Sequence, residues 1–194
     1  MMNEIVEQKK NIRKILIEKR NLIKKNTTQD FSVDAFNKLT EKIEFNLLDC
    51  VGSFMSIRSE ISTNQLNTSI LEMKKKLAFP TIAKNSETII FKTTNSDKGF
   101  KLGKFNIPEP TNDNAEIIPH LFFVPCLGFD LKGYRIGYGG GFYDKTFAKL
   151  KKLNLLFYTV GFAYDDQKQN KLPIEKFDYK LDFVLTEKQL YTFL

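Results

Sequence analysis

One histidine, two cysteines and no tryptophan occur in a chain of 194 residues. A single imidazole, His120, cannot build a multi-histidine metal centre, and a Ser/His/Asp triad would have to use that one residue. Cys50 and Cys126 stand alone, without CxxC or CxxH spacing. That argues against a zinc site and against a disulfide scaffold, and fits a reducing compartment. No apolar run approaches the ~18 residues needed to span a bilayer. The longest, Leu121–Phe129 and Leu155–Ala163, are of strand length, and the charged N-terminal segment lacks the apolar core of a signal peptide. The expected location is the cytoplasm, with no membrane partner.

At 42% hydrophobic and 27% charged, the composition is that of a globular protein, and its length is that of a single domain, 1–194, with a sizeable core. Thirty Lys+Arg against 23 Asp+Glu leave a formal charge of +7. Such an excess suits nucleic acid, anionic lipid or a polyanionic small molecule. It is concentrated at one end: Lys9, Lys10, Arg13, Lys14, Lys19, Arg20, Lys24 and Lys25 fall within residues 1–25, against Glu4, Glu7 and Glu18. By composition alone most of these charges read as a solvated helix face.

The apolar spacing predicts that first helix, with Ile5, Ile12, Ile15, Leu16, Leu22 and Ile23 as its stripe, stopped at Asn26-Thr27-Thr28. Ser32 is placed to cap a second helix buried through Phe36, Leu39, Ile43 and Leu47. Val51–Ile57 reads as a buried strand and Arg58-Ser59-Glu60 as the loop after it. Ser62 and Gln65 have capping-box spacing for a third helix packed through Leu66, Ile70 and Leu77. Short strands are expected at Leu77–Ile82 and Thr88–Thr93. Asn95–Pro119, rich in Gly, Pro, Asn and Asp, reads as loop. Leu121–Val124 is a buried strand, 141–153 a helix with Phe147 and Leu150 inward, and Leu155–Phe162 and Leu181–Leu185 further strands. Apolar strands alternating with helices imply a mainly parallel sheet covered on both faces, with ligands beyond its carboxyl ends. Segments 55–60, 125–144 and 163–178 lie there.

Five of the ten glycines are packed into Gly133-Tyr134-Arg135-Ile136-Gly137-Tyr138-Gly139-Gly140-Gly141-Phe142-Tyr143-Asp144, between an expected strand and an expected helix. Glycines let successive N–H groups turn to one anion, and a helix N-terminus adds a positive dipole end. Arg135 supplies a cation, and Asp144 a hard oxygen donor for magnesium. The run is neither GxxxxGK[ST] nor a dinucleotide GxGxxG, so an ordinary P-loop or nicotinamide site is disfavoured.

Phe123-Val124-Pro125, Gly128-Phe129-Asp130 and the Gly133–Asp144 run together closely resemble the signature of the 5-formyltetrahydrofolate cyclo-ligase family. The likeness extends over nearly the whole chain. Lys9-x-x-x-Arg13 resembles the family's ATP-contacting pair, and Met55–Glu60 the strand end whose acid contacts the folate. Leu102-Gly103-x-Phe105-x-Ile107-Pro108-Glu109-Pro110 is similar to its mid-chain segment. Gln167, Leu172-Pro173 and Asp178-x-x-Leu181-Asp182 resemble its C-terminal pattern. The resemblance implies a three-layer α/β/α fold with a mainly parallel open sheet, NagB/RpiA/CoA-transferase-like. It implies ATP- and Mg2+-dependent conversion of 5-formyltetrahydrofolate, polyglutamylated or not, to 5,10-methenyltetrahydrofolate by a monomer that binds no nucleic acid.

Carried onto this chain, Arg135 and Tyr143 are the expected catalytic residues. Lys9, Arg13, Arg135 and the run Ile136, Gly137, Tyr138, Gly139, Gly140, Gly141, Phe142 and Tyr143 are expected to bind ATP. Met55, Glu60, Tyr138 and Phe142 face the folate, and Asp144 and Asp178 hold magnesium. His120 has no catalytic role. The chain departs from the pattern in places. Tyr138 and Gly140 stand where many members carry a basic residue, Thr81 replaces an Arg, and Phe177 precedes Asp178 in place of a polar residue. Lys132 or Lys145 could make good the missing charge. Two other classes compete: a basic nucleic-acid-binding module, and a sugar-phosphate isomerase or acyl-CoA transferase, which would need no ATP.

Overall fold

The computed structural model describes residues 2–83, 85–94, 99–103, 107–111 and 114–194. Phe105 of the mid-chain motif lies outside the described residues. Helices α1 (Met2–Asn26) and α2 (Val33–Lys42) precede β1 (Cys50–Gly52), α3 (Asn64–Glu72), β2 (Lys76–Thr81) and β3 (Ile90–Thr93). Then come β4 (Phe100–Leu102), β5 (Pro108–Pro110), β6 (Glu116–Ile117), β7 (Leu121–Pro125), β8 (Gly128–Asp130), β9 (Arg135–Ile136) and α4 (Phe142–Lys152). The chain ends through β10 (Tyr158–Phe162), β11 (Lys168–Gln169), β12 (Phe183–Leu185) and β13 (Leu190–Thr192).

Eight strands form one sheet in the order β13-β12-β10-β7-β1-β2-β3-β6. The five from β12 to β2 are parallel, and the pairings of β13, β3 and β6 at the edges are antiparallel. Strand β7 shows why both faces are covered. Its successive side chains alternate between faces, and all four from Leu121 to Val124 are buried. Leu121 and Phe123 enter a core with Phe36, Leu39, Leu66 and Ile70 from α2 and α3. Phe122 and Val124 enter a second core with Phe147 and Leu150 of α4. Helices thus lie on both faces, as the apolar runs required.

Ser32 caps α2, its Oγ accepting from Ala35 N at 3.2 Å. The helix stops at Lys42 and turns through Glu44 at φ 47°, so Phe45 is buried there and Leu47 is 75% exposed. The expected capping box of α3 does not form. Thr63 is its N-cap and spends its hydroxyl on Phe54 O at 2.9 Å, bracing the loop before the helix. Leu77 belongs to β2 and not to α3. The strand expected over Val51–Ile57 ends at Gly52, and residues 53–63 leave the sheet. The segment after α4 rejoins the sheet only at Tyr158, and Leu156 is 92% exposed. The stretch expected as loop holds β4, β5 and β6, and a small sheet β11-β8-β9 stands apart from the main one.

Helix α1 reaches that small sheet through Leu16, which packs with Leu127, Ile136 and Leu172. Ile15 and Leu22, expected in its apolar stripe, are instead 63% and 60% exposed. The face turned inward carries Lys9, Arg13, Leu16, Arg20 and Ile23, alternately four and three residues apart, which is one side of a helix.

Candidate active site

From β1 the chain passes through α3 to β2 on one side, and from β7 through α4 to β10 on the other. The two departures diverge between neighbouring strands, and the crevice at such a switch point is where open α/β sheets bind ligands. Residues 53–60 follow β1, residues 126–141 follow β7, and the inward face of α1 lies across both.

Glu60 occupies the first of these segments and is 6% exposed. Its Oε2 accepts from Ile57 N at 2.9 Å. Ser56 Oγ, donating to Ile61 O at 2.7 Å and accepting from Thr63 N at 3.0 Å, holds this turn closed. Burial pushes the Glu60 carboxyl above its ordinary value; the bond from Ile57, the charge of Arg20, the Tyr138 hydroxyl and Arg58 pull the other way. Met55 is half-buried beside the first core. Tyr138 extends from the glycine-rich loop, 41% exposed, with Arg20 and Arg58 at 5.4 and 5.7 Å from its ring centre. A half-exposed aromatic ring with guanidinium groups close to it is a surface suited to a flat heterocycle.

The loop itself turns through Gly139 at φ 105° and Gly141 at φ 66°, a region that side chains strain to enter. Gly141 is the N-cap of α4. Arg13 Nε donates to Gly137 O at 3.0 Å, which places its guanidinium along the loop. Arg135, its side chain 6% exposed, donates to Asp144 Oδ1 at 2.9 Å and to Tyr179 O at 3.1 Å. Phe142 and Tyr143 are half-buried in the first turn of α4. The Tyr143 ring packs on Phe147 at 5.8 Å, and burial raises its hydroxyl well above the ordinary value, so it remains a neutral donor.

Lys9 and Arg13 lie on one face but serve different partners. Lys9, 4% exposed, donates to Glu175 at 2.7 Å and to both oxygens of Asp178. Asp178 also accepts from Glu175 N at 2.7 Å. The suggested substitutes for the missing loop cation are placed elsewhere: Lys145 pairs with Glu87 at 2.8 Å, and Lys132 is exposed. Besides Arg135 within the run, Arg13, Arg20 and Arg58 bring basic groups to the loop. Gln167 ties the end of β10 to the segment after β7, donating to Cys126 O at 2.8 Å and Leu127 O at 3.0 Å. His120 is exposed at the entry to β7.

No group of three His, Cys, Asp or Glu side chains able to hold a metal occurs among the described residues. Asp144 and Asp178 flank one short segment: Asp144 Oδ1 accepts from Tyr179 N at 3.0 Å, the residue next to Asp178. Two carboxylates beside a glycine-rich loop fit magnesium, which takes one or two and fills its remaining positions with phosphate oxygens and water. Each now faces a cation, Arg135 or Lys9, of the kind that phosphates also attract.

Residues that the sequence reading passed over are Arg20, Arg58 and Glu175. Arg20 carried a signal: it lies in phase with Lys9, Arg13, Leu16 and Ile23.

Fold and site define an α/β protein in which a glycine-rich loop, basic side chains and a buried carboxylate meet at the switch point of a mainly parallel sheet. The chain belongs to the 5-formyltetrahydrofolate cyclo-ligase family, whose sequence profile matches residues 5–187. The 5-formyltetrahydrofolate cyclo-ligase of Haemophilus influenzae is 30% identical over 179 residues, covering 90% of this chain and 92% of that protein. The Escherichia coli protein of the same name is 28% identical over 146 residues, covering 73% and 79%. Among solved structures, the 5,10-methenyltetrahydrofolate synthetase of Aquifex aeolicus superposes with a TM-score of 0.75 at 26% identity, covering 96% of this chain and 93% of that one.

Proposed function

We propose that this chain, acting as one domain over 1–194, converts 5-formyltetrahydrofolate and ATP to 5,10-methenyltetrahydrofolate, ADP and phosphate in the cytoplasm. The formyl oxygen attacks the γ-phosphate and ADP leaves. N10 of the folate then attacks the activated carbon, and phosphate departs with the former formyl oxygen as N10 gives up its proton. An amide oxygen is a poor leaving group until phosphorylated, which is the reason for ATP.

Little side-chain chemistry is required, since phosphoryl transfer depends on positioning and charge. Backbone amides of 137–141, Arg13 and Arg135 hold the phosphates, with Lys9 at their edge. Tyr143 donates to a phosphate oxygen as a neutral phenol. Asp144 and Asp178 would hold magnesium, which supplies charge neutralisation on the phosphates. Glu60 accepts from the N–H groups of the pterin, and Met55, Tyr138 and Phe142 enclose its ring.

The observation that carries this reading is the meeting, at one switch point, of the glycine-rich loop and the Glu60 turn. Two half-sites of different chemistry, one for phosphates and one for a hydrogen-bonding ring, share a wall. The test is near-ultraviolet absorbance of methenyltetrahydrofolate after mixing the protein with 5-formyltetrahydrofolate, ATP and magnesium. Product should form only with ATP present. Absence of product at any magnesium concentration would overturn the proposal, and product without ATP would point to a different reaction.

A further inference from the structure

Among the described residues, the largest fully buried side chain is a charged one. Arg20 is 1% exposed in the middle of α1. A buried guanidinium is costly unless its donors are met, and here they are met from three separate segments. Nε donates to Ser59 Oγ at 3.2 Å, Nη1 to Cys126 O at 3.3 Å, and Nη2 to the Tyr138 hydroxyl. Nη1 also stands 3.8 Å from Glu60 Oε1. One side chain therefore touches the turn after β1, the segment after β7 and the glycine-rich loop.

The geometry points to Arg20 as a positioning residue for the folate end of the site, fixing the Glu60 carboxylate and the Tyr138 ring relative to one another so that they meet the substrate as a unit. This rests on the cyclo-ligase reading above. Arg20 lies beneath Tyr138, so it acts through its neighbours and not on the substrate. A buried arginine retains its charge at all working pH values. That makes it a constant counter-charge for a carboxylate that burial pushes toward its neutral form.

The groups facing Glu60 can be named from every side. Arg20 comes from α1, Arg58 from its own turn, and Tyr138 from the glycine-rich loop. The Cys126 thiol after β7 and the Tyr143 phenol of α4 also feel its charge, and both are held neutral by burial. Only Arg20 and Arg58 are cations in this set that pull the carboxyl down, and Arg58 is exposed to screening solvent. Protonation costs Glu60 its charge and part of its acceptor capacity toward the pterin N–H groups, so substrate binding should fall as pH drops through its pKa. Removing Arg20 raises that pKa further and moves the fall to higher pH.

The experiment compares wild type, Arg20→Gln, Arg20→Lys and Tyr138→Phe, each first checked for a cooperative thermal transition. Binding of 5-formyltetrahydrofolate is measured by calorimetry without ATP between pH 5 and 8, and KM is measured for both substrates. Arg20→Gln should weaken folate binding about tenfold, the order expected from losing one charge-assisted bond. Its KM for ATP should stay within about threefold, and the acid limb of folate binding should move upward by about one pH unit. Arg20→Lys keeps the charge and should recover the acid limb while leaving affinity reduced. Should Arg20→Gln not fold, Tyr138→Phe removes the same link from its other end and should weaken folate binding by less, with ATP unaffected. Equal losses for both substrates with an unmoved acid limb would mean that Arg20 only supports the fold. Unchanged folate binding in any folded variant would also overturn the inference. If instead the wild type turns over no 5-formyltetrahydrofolate, it is the reaction itself that has been misassigned.

Discussion

Asp144→Asn separates what the carboxylate does for the fold from the metal-binding role proposed for it. In the structure, Asp144 Oδ1 alone carries both structural bonds, from Arg135 at 2.9 Å and from Tyr179 N at 3.0 Å. An asparagine can present its carbonyl oxygen at the same place and keep both bonds. What is lost is charge. Bonds to an ionised acceptor contribute about 1.5–3 kcal/mol and neutral ones about 0.5–1.5. The side chain is 25% exposed, so solvent screens part of the difference. Arg135 keeps Tyr179 O as a second acceptor, so it is not stranded. The expected loss is about 1–2 kcal/mol, a fall in Tm of about 2–8 °C for a chain of this size. Binding of magnesium should suffer far more, since even groups one step removed from a metal alter affinity by about 10–100-fold. Initial rates against magnesium concentration should therefore show half-saturation raised at least about tenfold. A well-folded variant with the wild-type magnesium profile would refute the metal assignment. A loss of about 5 kcal/mol or more, the scale of breaking a fully buried pair, would refute the claim that the amide preserves the two bonds.

Other expectations are simpler. Gly139→Ala places a Cβ at φ 105° and 3.2 Å from Arg13 Cζ; it should cost about 1–2 kcal/mol and raise KM for ATP while sparing KM for the folate, and an unaltered KM for ATP would contradict the phosphate role of this turn. Phe122→Ala removes a fully buried ring packed on Phe91, Phe147 and Phe157 at 5.0, 5.3 and 5.4 Å. Urea unfolding should show a loss of about 3–5 kcal/mol, and a loss below about 1 would mean that the core rearranges around the gap. Burial pushes the thiols of Cys50 and Cys126 up to about 11 and about 12. Since the thiolate is the reactive form, native protein at pH 8 should resist maleimide, and urea-unfolded protein should take up label at both cysteines; fast labelling of the native state would show that these residues are reached by opening.

The sheet was legible because its evidence is periodic. A continuous apolar run of strand length such as Leu121–Val124 suits a strand buried on both faces, and both sides of that strand are packed. The glycine-rich loop was legible for a different reason: five glycines within nine positions stand out from a chain of ordinary composition. Short strands such as β4, β5 and β6 were not, because two or three residues carry no period. Ser62 and Gln65 show how a local pattern loses to a tertiary one, since Thr63 serves the loop that presents Glu60 and the box does not form.

The first helix is the most instructive failure. Treating its lysines and arginines as solvent-facing puts Ile15 and Leu22 inside, and both are outside. The inward face is instead marked by three basic residues in register with Leu16 and Ile23. Each finds its counterpart in a segment distant in sequence: Lys9 at Asp178, Arg13 at Gly137, Arg20 at Ser59 and Tyr138. A hydrophobicity scale scores those positions as surface. Burial becomes affordable only once the sheet has delivered carbonyls and carboxylates to the same crevice. The same argument explains why the charge excess of this chain need not imply nucleic acid. On the proposed reading, Lys9 and Arg13 of this inward face serve a small polyanion held between the helix and the carboxyl ends of the strands, while Arg20 serves Glu60 and Tyr138.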